Sequence, residues 1–181
     1  MTVPEVLHIV GSFDPGEDGL ARKSRDLLTG LLKHTKKPFA RDSFKPGHVT
    51  CTALVRHPRE AKYLLMLHHR LDRWLLPGGH VEESDRSPAE TASREAREET
   101  NVSINAGVEP FLAGIDVHGI PPKRDEPFHL HHDLIWCFRA STEEIAVTEE
   151  APSVLWAGPG DWDRLNVAES IRQSILRAES R

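Results

Sequence analysis

The chain has 181 residues, of which 38% are hydrophobic and 28% charged, and its formal net charge is -5. This length and composition suit one domain with a full hydrophobic core. The acidic balance argues against a general nucleic-acid binder, because a surface that follows phosphates carries a basic excess. No apolar run approaches the length of a membrane span, and the N-terminus lacks a basic and apolar leader, so no membrane association is expected.

The two cysteines, Cys51 and Cys137, form neither a disulfide framework nor a zinc-ligand pattern. Both lie in strand-like runs and are predicted to be buried thiols. Because free thiols are compatible with a reducing compartment, we expect a cytoplasmic protein.

Residues 1–46 are predicted to form an N-terminal helical extension, followed by the main domain over residues 47–181. Within the extension, residues 20–33 show the apolar spacing of an amphipathic helix. The extension could cap the core, help to form a homodimer or line a substrate pocket. Packing against the core is the simplest of these expectations.

The main domain begins with strand-like segments. Residues 48–55 are rich in β-forming residues, and Val49, Cys51, Ala53 and Val55 would line one face. The apolar run over residues 63–68 is typical of a strand buried on both sides. The later predicted elements are strands over residues 108–117, 128–138 and 153–157, and a final amphipathic helix over residues 161–178.

A helix with clear end signals lies between the predicted strands over residues 63–68 and 108–117. Ser87 is a suitable N-cap, Pro88 suits the first helical position, and Glu90 completes a capping box. Asn101 tolerates the left-handed backbone that is common just past a helix end. The helix is therefore predicted over residues 88–100.

One side of this helix combines small and acidic side chains. At about 100° per residue, three alanines cluster on one side, and three carboxylates occupy a narrow arc beside them. The members are Ala89, Ala92 and Ala96, then Glu95, Glu98 and Glu99. Mg²⁺ prefers oxygen ligands, with water or phosphate completing its shell. Because a Gly-Gly turn directly precedes the helix, this arc indicates a metal site; the alternative is a solvated acidic face.

These residues resemble the signature of the Nudix hydrolases, G-x5-E-x7-R-E-U-x-E-E-x-G-U, where U is aliphatic. Gly79 matches the first glycine, and Val102 matches the last aliphatic residue. The run REAREE at residues 94–99 matches the central R-E and E-E pairs.

The sequence departs from the signature at three places. Asp85 replaces the first glutamate, with one extra residue before Arg94, Ala96 is small for an aliphatic position, and Asn101 replaces the late glycine. The insertion falls in a loop, where added length costs little. Because spacing and residue type both depart from the signature at Asp85, and because Arg86 can partner it locally, we expect Asp85 not to be essential.

The resemblance implies an α/β/α sandwich around a mixed β-sheet. It also implies Mg²⁺-dependent hydrolysis of a phosphoanhydride bond, with Mn²⁺ able to substitute. The small-molecule substrate would be a nucleoside diphosphate linked to another moiety, or a nucleoside triphosphate. The implied catalytic residues are Arg94, Glu95, Glu98 and Glu150, and the implied metal ligands are Gly79, Glu95, Glu98 and Glu99.

Members of this family often place a further acid before the last strand, as a metal ligand or general base. Four residues lie in that region: Glu143, Glu144, Glu149 and Glu150. Glu149 and Glu150 are nearest to the expected place. The sequence does not choose between them, and Glu150 is taken as the candidate.

A second unusual group lies on the strand at residues 128–138. His129, His131 and Asp133 alternate and so share one face. They could bind a transition metal, contact a phosphate, ribose or base in a pocket, or form a solvated polar face. We take them, with Arg70 and Trp74, as candidate substrate contacts. Two alternative functions stay open: a Nudix-like domain that only binds a nucleotide and regulates, and a transition-metal protein that uses these three residues.

Overall fold

The computed structural model describes residues 1–69, 71–123, 125–149 and 151–181. The helices in this part of the chain are α1 (Val3–Ser12), α2 (Gly19–His34), α3 (Pro88–Thr100) and α4 (Glu169–Glu179). The strands are β1 (Gly47–Arg56), β2 (Tyr63–His68), β3 (Arg73–Leu75), β4 (Gly78–His80), β5 (Phe111–Ile120), β6 (His129–Arg139) and β7 (Ser153–Ala157). Within these ranges, none of the helices has the length and apolar character needed to cross a bilayer.

The strands form one mixed sheet in the order β3-β2-β1-β6-β5, in which β4 also pairs with β1 and β7 with β2. β1 and β6 are parallel and in register from Gly47 with Leu130 to Arg56 with Arg139. The other strand pairs are antiparallel. Helices pack against the sheet through two hydrophobic clusters. The expected fold, an α/β/α sandwich around a mixed sheet, is therefore confirmed.

The two faces of β1 divide the core. Alternate side chains, among them Val49 and Cys51, belong to the cluster that contains Ala92 and Ala96 of α3. The small alanines let α3 approach the sheet, as their clustering on the helix predicts. Leu54 points to the opposite face, where the cluster includes side chains of α4.

The ends of α3 agree with the sequence signals. The Ser87 hydroxyl accepts the Glu90 N–H at 3.1 Å, and Asn101 has φ of 53° at the C-cap. The second half of the predicted capping box is wrong, because the Glu90 carboxylate accepts the N–H of Arg86 instead of that of Ser87.

Two other predicted boundaries and one predicted turn are wrong. β5 begins at Phe111 because a turn and then Pro110, which has no N–H for a strand ladder, occupy the preceding residues. α4 begins only at Glu169, after a 3-10 turn and Asn166 with φ of 49°. The segment expected to be a Pro-Gly-Gly turn instead continues into β4, which pairs with β1.

The N-terminal segment packs as part of the core. Val10, Leu28 and Leu32 are buried in the same cluster as Val49 of the sheet. Asp18 caps α2 by accepting the Leu20 and Ala21 N–H groups, each at 3.0 Å, and it also pairs with Arg177 of α4. The helices of the predicted extension therefore cover one face of the sheet, while the domain boundary at residue 46 stays a prediction.

Shortening the fully buried Leu28 to alanine tests this packing. We expect Leu28→Ala to lower the free energy of unfolding by about 2–5 kcal/mol, because lost burial and a cavity add together. The neighbouring Leu27 is 52% exposed, so Leu27→Ala is the control, with a change below about 0.5 kcal/mol. Urea unfolding followed by circular dichroism measures both. Equal, small effects would contradict a core role for α2.

Candidate active site

Two consecutive glycines bring β4 against α3. A Cβ atom on Gly79 would lie 2.6 Å from the carboxylate carbon of Glu95, so any other residue there would force that carboxylate to move. The Gly78 N–H donates to Oε2 of Glu99 at 2.8 Å, and Glu99 is buried. The acidic side of α3 therefore lies directly against the β4 backbone.

Arg94 organises the carboxylates at this contact. Its Nη1 donates to Oε1 of Glu95 and to Oε2 of Glu98, both at 3.0 Å. Its Nη2 donates to the carbonyl oxygen of His80 at 2.9 Å. The Glu98 side chain is 59% exposed and that of Glu95 only 16%. The Arg94 guanidinium therefore connects one exposed and one largely buried carboxylate to the backbone of β4.

Asp85 completes this arrangement from the loop before α3. Arg94 donates to it twice, from Nε to Oδ1 at 3.1 Å and from Nη2 to Oδ2 at 3.0 Å. The Glu82 N–H and the Thr91 hydroxyl also donate to Oδ2, each at 2.9 Å. Burial acts to raise the pKa of Asp85, but the hydrogen bonds from Arg94, Glu82 and Thr91 outweigh it, and the pKa is lowered.

The local pairing predicted for Asp85 is therefore wrong. Arg86 is paired with Glu90 on the exposed side of α3, at 3.2 Å. The inserted residue in the loop leaves Asp85 able to reach Arg94, so pairing with Arg86 no longer supports the expectation that Asp85 is dispensable, and that expectation stays a prediction. The missed signal is chemical: an aspartate and an arginine nine residues apart can form a bidentate pair.

The loop before β7 is attached to the end of α3. The Thr148 hydroxyl donates to the Glu99 carbonyl oxygen at 2.9 Å, and Glu149 beside it is exposed. Glu143 instead pairs with Arg59. Two predicted site residues, Glu150 and Arg70, lie outside the described residues.

The predicted histidine strand joins a larger group. We define the histidine cluster as five residues from four strands: His48, His80, His118, His129 and His131. Their ring centroids lie 4.8 to 5.7 Å from those of their neighbours in the cluster. The β1–β6 register pairs His48 with His131, whereas sequence reasoning found only His129 and His131. His80 lies on β4, which has only three residues and reads as a turn in the sequence, so alternation does not identify it.

The other predicted contacts near this strand are placed differently. Asp133 is buried and accepts the Thr50 hydroxyl at 3.0 Å, and burial raises its pKa above the ordinary value. Burial lowers the pKa of His80 to about 4 and that of His131 further, so both are neutral at pH 7. Trp74 lies on β3 and is partly buried against the α4 side of the core.

A family model described as NUDIX domain matches residues 46–175, which include the whole sheet and α3. This chain belongs to the Nudix family. The resemblance predicted from the motif is thereby confirmed, and so, at the level of the family, is the expectation of a Nudix-type pyrophosphohydrolase. Comparison with curated proteins gives no match.

Solved structures share the fold of this Nudix chain at low sequence identity. The NUDIX domain of Shewanella oneidensis NrtR, complexed with ADP ribose, has a TM-score of 0.54 and 20% identity, covering 73% of this chain and 86% of its own. The E. coli dihydroneopterin triphosphate pyrophosphohydrolase has 0.55 and 20%, covering 70% and 91%. A C. elegans Ap4A hydrolase has 0.51 and 12%, covering 73% and 95%.

The Asp85–Arg94 pair predicts a stability change. Asp85→Asn removes the charge but nearly keeps the volume, and we expect the free energy of unfolding at pH 7 to fall by about 1–3 kcal/mol, because a buried charged hydrogen-bonding partner is lost. Glu90→Gln, which removes the exposed pair on the same helix, is the control and should have a much smaller effect. Chemical unfolding of both variants checks this.

The same pair predicts a pH dependence. The pKa of Asp85 is below its value in the unfolded chain, so its contribution is present above about pH 4 and is lost as the pH falls through the folded pKa. The difference in unfolding free energy between the wild type and Asp85→Asn should therefore shrink in acid. A difference that stays constant from neutral to strongly acidic pH would contradict this assignment.

Proposed function

We propose that the chain is a Mg²⁺-dependent hydrolase of the phosphoanhydride bond in a nucleotide-type small molecule. The substrate class is a nucleoside diphosphate linked to another moiety, or a nucleoside triphosphate. The observation that carries the proposal is the contact of α3 with β4, where Arg94 holds the carboxylates of Glu95 and Glu98 beside Gly79.

The donor set at this contact suits Mg²⁺. It consists of carboxylate oxygens from Glu95, Glu98 and Glu99, together with the backbone of Gly79, and Mg²⁺ is bound by a few such oxygens with water and phosphate in its remaining positions. When bound, the ion would offset the charge of the phosphoanhydride and lower the pKa of an attacking water.

The protein side chains supply position and proton transfer. Arg94 orients Glu95 and Glu98 through single hydrogen bonds to each, so it sets the direction in which their remaining oxygens point. The exposed carboxylate of Glu98 is accessible to a substrate phosphate and its water. We propose Glu149 or Glu150 as the general base, because both follow Thr148, whose hydroxyl attaches this loop to the end of α3.

The solved relatives support a nucleotide-type substrate, because they include a complex with ADP ribose, an Ap4A hydrolase and a triphosphate pyrophosphohydrolase. A second function, nucleotide binding without hydrolysis, would be favoured by loss of the acidic set. Glu95, Glu98 and Glu99 are all present, so hydrolysis is the better supported function.

A substrate screen tests the proposal. Purified protein would be incubated with Mg²⁺ and nucleoside diphosphate sugars, dinucleoside polyphosphates or nucleoside triphosphates, and the products separated by ion-exchange chromatography. We expect Mg²⁺-dependent release of two phosphorylated products from at least one class. Binding of these compounds without turnover would favour the second function.

Neutral substitutions in the acidic set provide the sharper test. We expect Glu98→Gln and Glu99→Gln each to lower kcat by about a hundredfold or more, since a lost metal ligand removes several kcal/mol of charge stabilisation. The glutamine oxygen at position 99 can still accept the Gly78 N–H, so the fold should be kept. Glu90→Gln on the other side of α3 is the control and should retain its rate. Near-native turnover in both test variants would show that the metal assignment is wrong.

A further inference from the structure

We propose that His48, His80 and His131 form a binding site for a transition-metal ion such as Zn²⁺, separate from the carboxylates of α3. This inference goes beyond the proposed hydrolase function and does not depend on it. Each residue offers one imidazole nitrogen, and the three nitrogens lie within 4.8 Å of one another. Among the described residues, no other group of three or more histidine, cysteine or acidic side chains meets this spacing.

The strand pairing brings the three rings together. β1 and β6 place His48 beside His131, and β4 pairs with β1 so that His80 lies opposite Thr50, two residues further along. The ring centroids are 5.0 Å apart for His48 and His80, 4.8 Å for His48 and His131, and 5.3 Å for His80 and His131. The three rings therefore converge from three different strands on one point above the sheet.

The hydrogen bonding of His48 leaves one nitrogen for a ligand. Its Nδ1 lies 3.2 Å from the carbonyl oxygen of Ser43, and a carbonyl only accepts, so Nδ1 carries the proton. In the neutral ring Nε2 then has a free lone pair, which is the form that ligates a metal. His48 is 1% exposed, and its buried Nε2 has no hydrogen-bond partner in the structure. Buried polar atoms of this kind require a partner, and a metal ion would supply it.

The chemistry of the donors selects the class of ion. Three imidazole nitrogens suit Zn²⁺ and neighbouring transition metals, whereas Mg²⁺ takes oxygen ligands. Tetrahedral Zn–N bonds of about 2.1 Å place nitrogens roughly 3.4 Å apart, so the half-buried rings of His80 and His131 must move inward by about 1 Å on binding. Three protein ligands leave the fourth position open for water or an anionic oxygen.

This set differs from the metal hypothesis made from the sequence, which grouped His129, His131 and Asp133. Nδ1 of His129 lies 2.8 Å from the Pro127 carbonyl oxygen, and the Asp133 carboxylate accepts from Thr50. Only His131 belongs to both groups. The two new members come from β1 and β4, which alternation along a single strand could not identify.

The proposed site also touches the candidate active site through one residue. His80 contributes its ring to the histidine cluster, and its carbonyl oxygen accepts from Arg94. A metal on the three rings would therefore bind the side chain of the residue whose backbone accepts from Arg94.

Metal titration of the full chain tests the proposal without relying on activity. Protein stripped with a chelator would be titrated with Co²⁺, a spectroscopic substitute for Zn²⁺, and followed by visible absorption. We expect the intense bands of a tetrahedral nitrogen site to reach saturation at one ion per chain, while any Co²⁺ on the oxygen ligands of α3 would add only weak absorption. His131→Ala and His80→Ala should each weaken binding by more than about a hundredfold, since even outer contacts to a metal site change affinity by about tenfold to a hundredfold.

Two controls locate the ion. His34→Ala, at an exposed position on α2, should bind Co²⁺ like the wild type. Glu98→Gln should also keep the bands, whereas their loss in Glu98→Gln with retention in His131→Ala would place the ion on α3 and overturn the proposal. Wild-type protein without tetrahedral bands would overturn it as well.

A measurement on the wild type guards against unfolded variants. Nitrogen NMR of the histidine rings should show Zn²⁺-dependent shifts at Nε2 of His48 and at one ring nitrogen each of His80 and His131. Unchanged signals for these three rings at saturating Zn²⁺ would refute the site whatever the variants do.

Discussion

The guanidinium of Arg94 is the interaction on which the candidate active site depends. It joins the buried Asp85, the carboxylates of Glu95 and Glu98, and the carbonyl oxygen of His80. Without the guanidinium, the carboxylates of Asp85, Glu95 and Glu98 would repel one another. The buried Asp85 would also lose its charged partner, and an unpaired buried charge is strongly destabilising. Arginine suits this position because its planar fork offers five donors in fixed directions, which lysine does not.

Strand β1 is the scaffold that makes both proposed sites possible. It pairs with β2, β4 and β6, and so connects elements that are distant in sequence. Through β4 it places the two glycines under α3, and through β6 it places His48 beside His131. β4 therefore carries both the glycine contact with α3 and the ring of His80.

Local signals were enough to predict much of this structure. The Ser87 cap and the Asn101 terminus set the limits of α3, and the small Ala92 and Ala96 identified its buried side. These features depend on residues within one or two turns of each other. The late start of α4 was missed because the left-handed backbone at Asn166 interrupts an apolar spacing that otherwise continues.

Contacts between distant segments could not be predicted in the same way. The Thr50–Asp133 hydrogen bond joins residues 83 apart and requires the parallel register of β1 and β6, which no local pattern specifies. The histidine cluster depends on the same register. The role of Asp85 was missed for another reason: its nearest cation in sequence is Arg86, but the fold pairs Arg86 with Glu90 and directs Asp85 to Arg94.

A double-mutant cycle between Asp85 and Arg94 tests the central claim, that this pair joins the loop to the acidic side of α3. Unfolding free energies would be measured for the wild type, Asp85→Asn, Arg94→Gln and the double variant. We expect a coupling of about 1–3 kcal/mol, because residues in one ion-pair network are not additive. A coupling within about 0.3 kcal/mol of zero would show that the two side chains act independently, and would contradict this account.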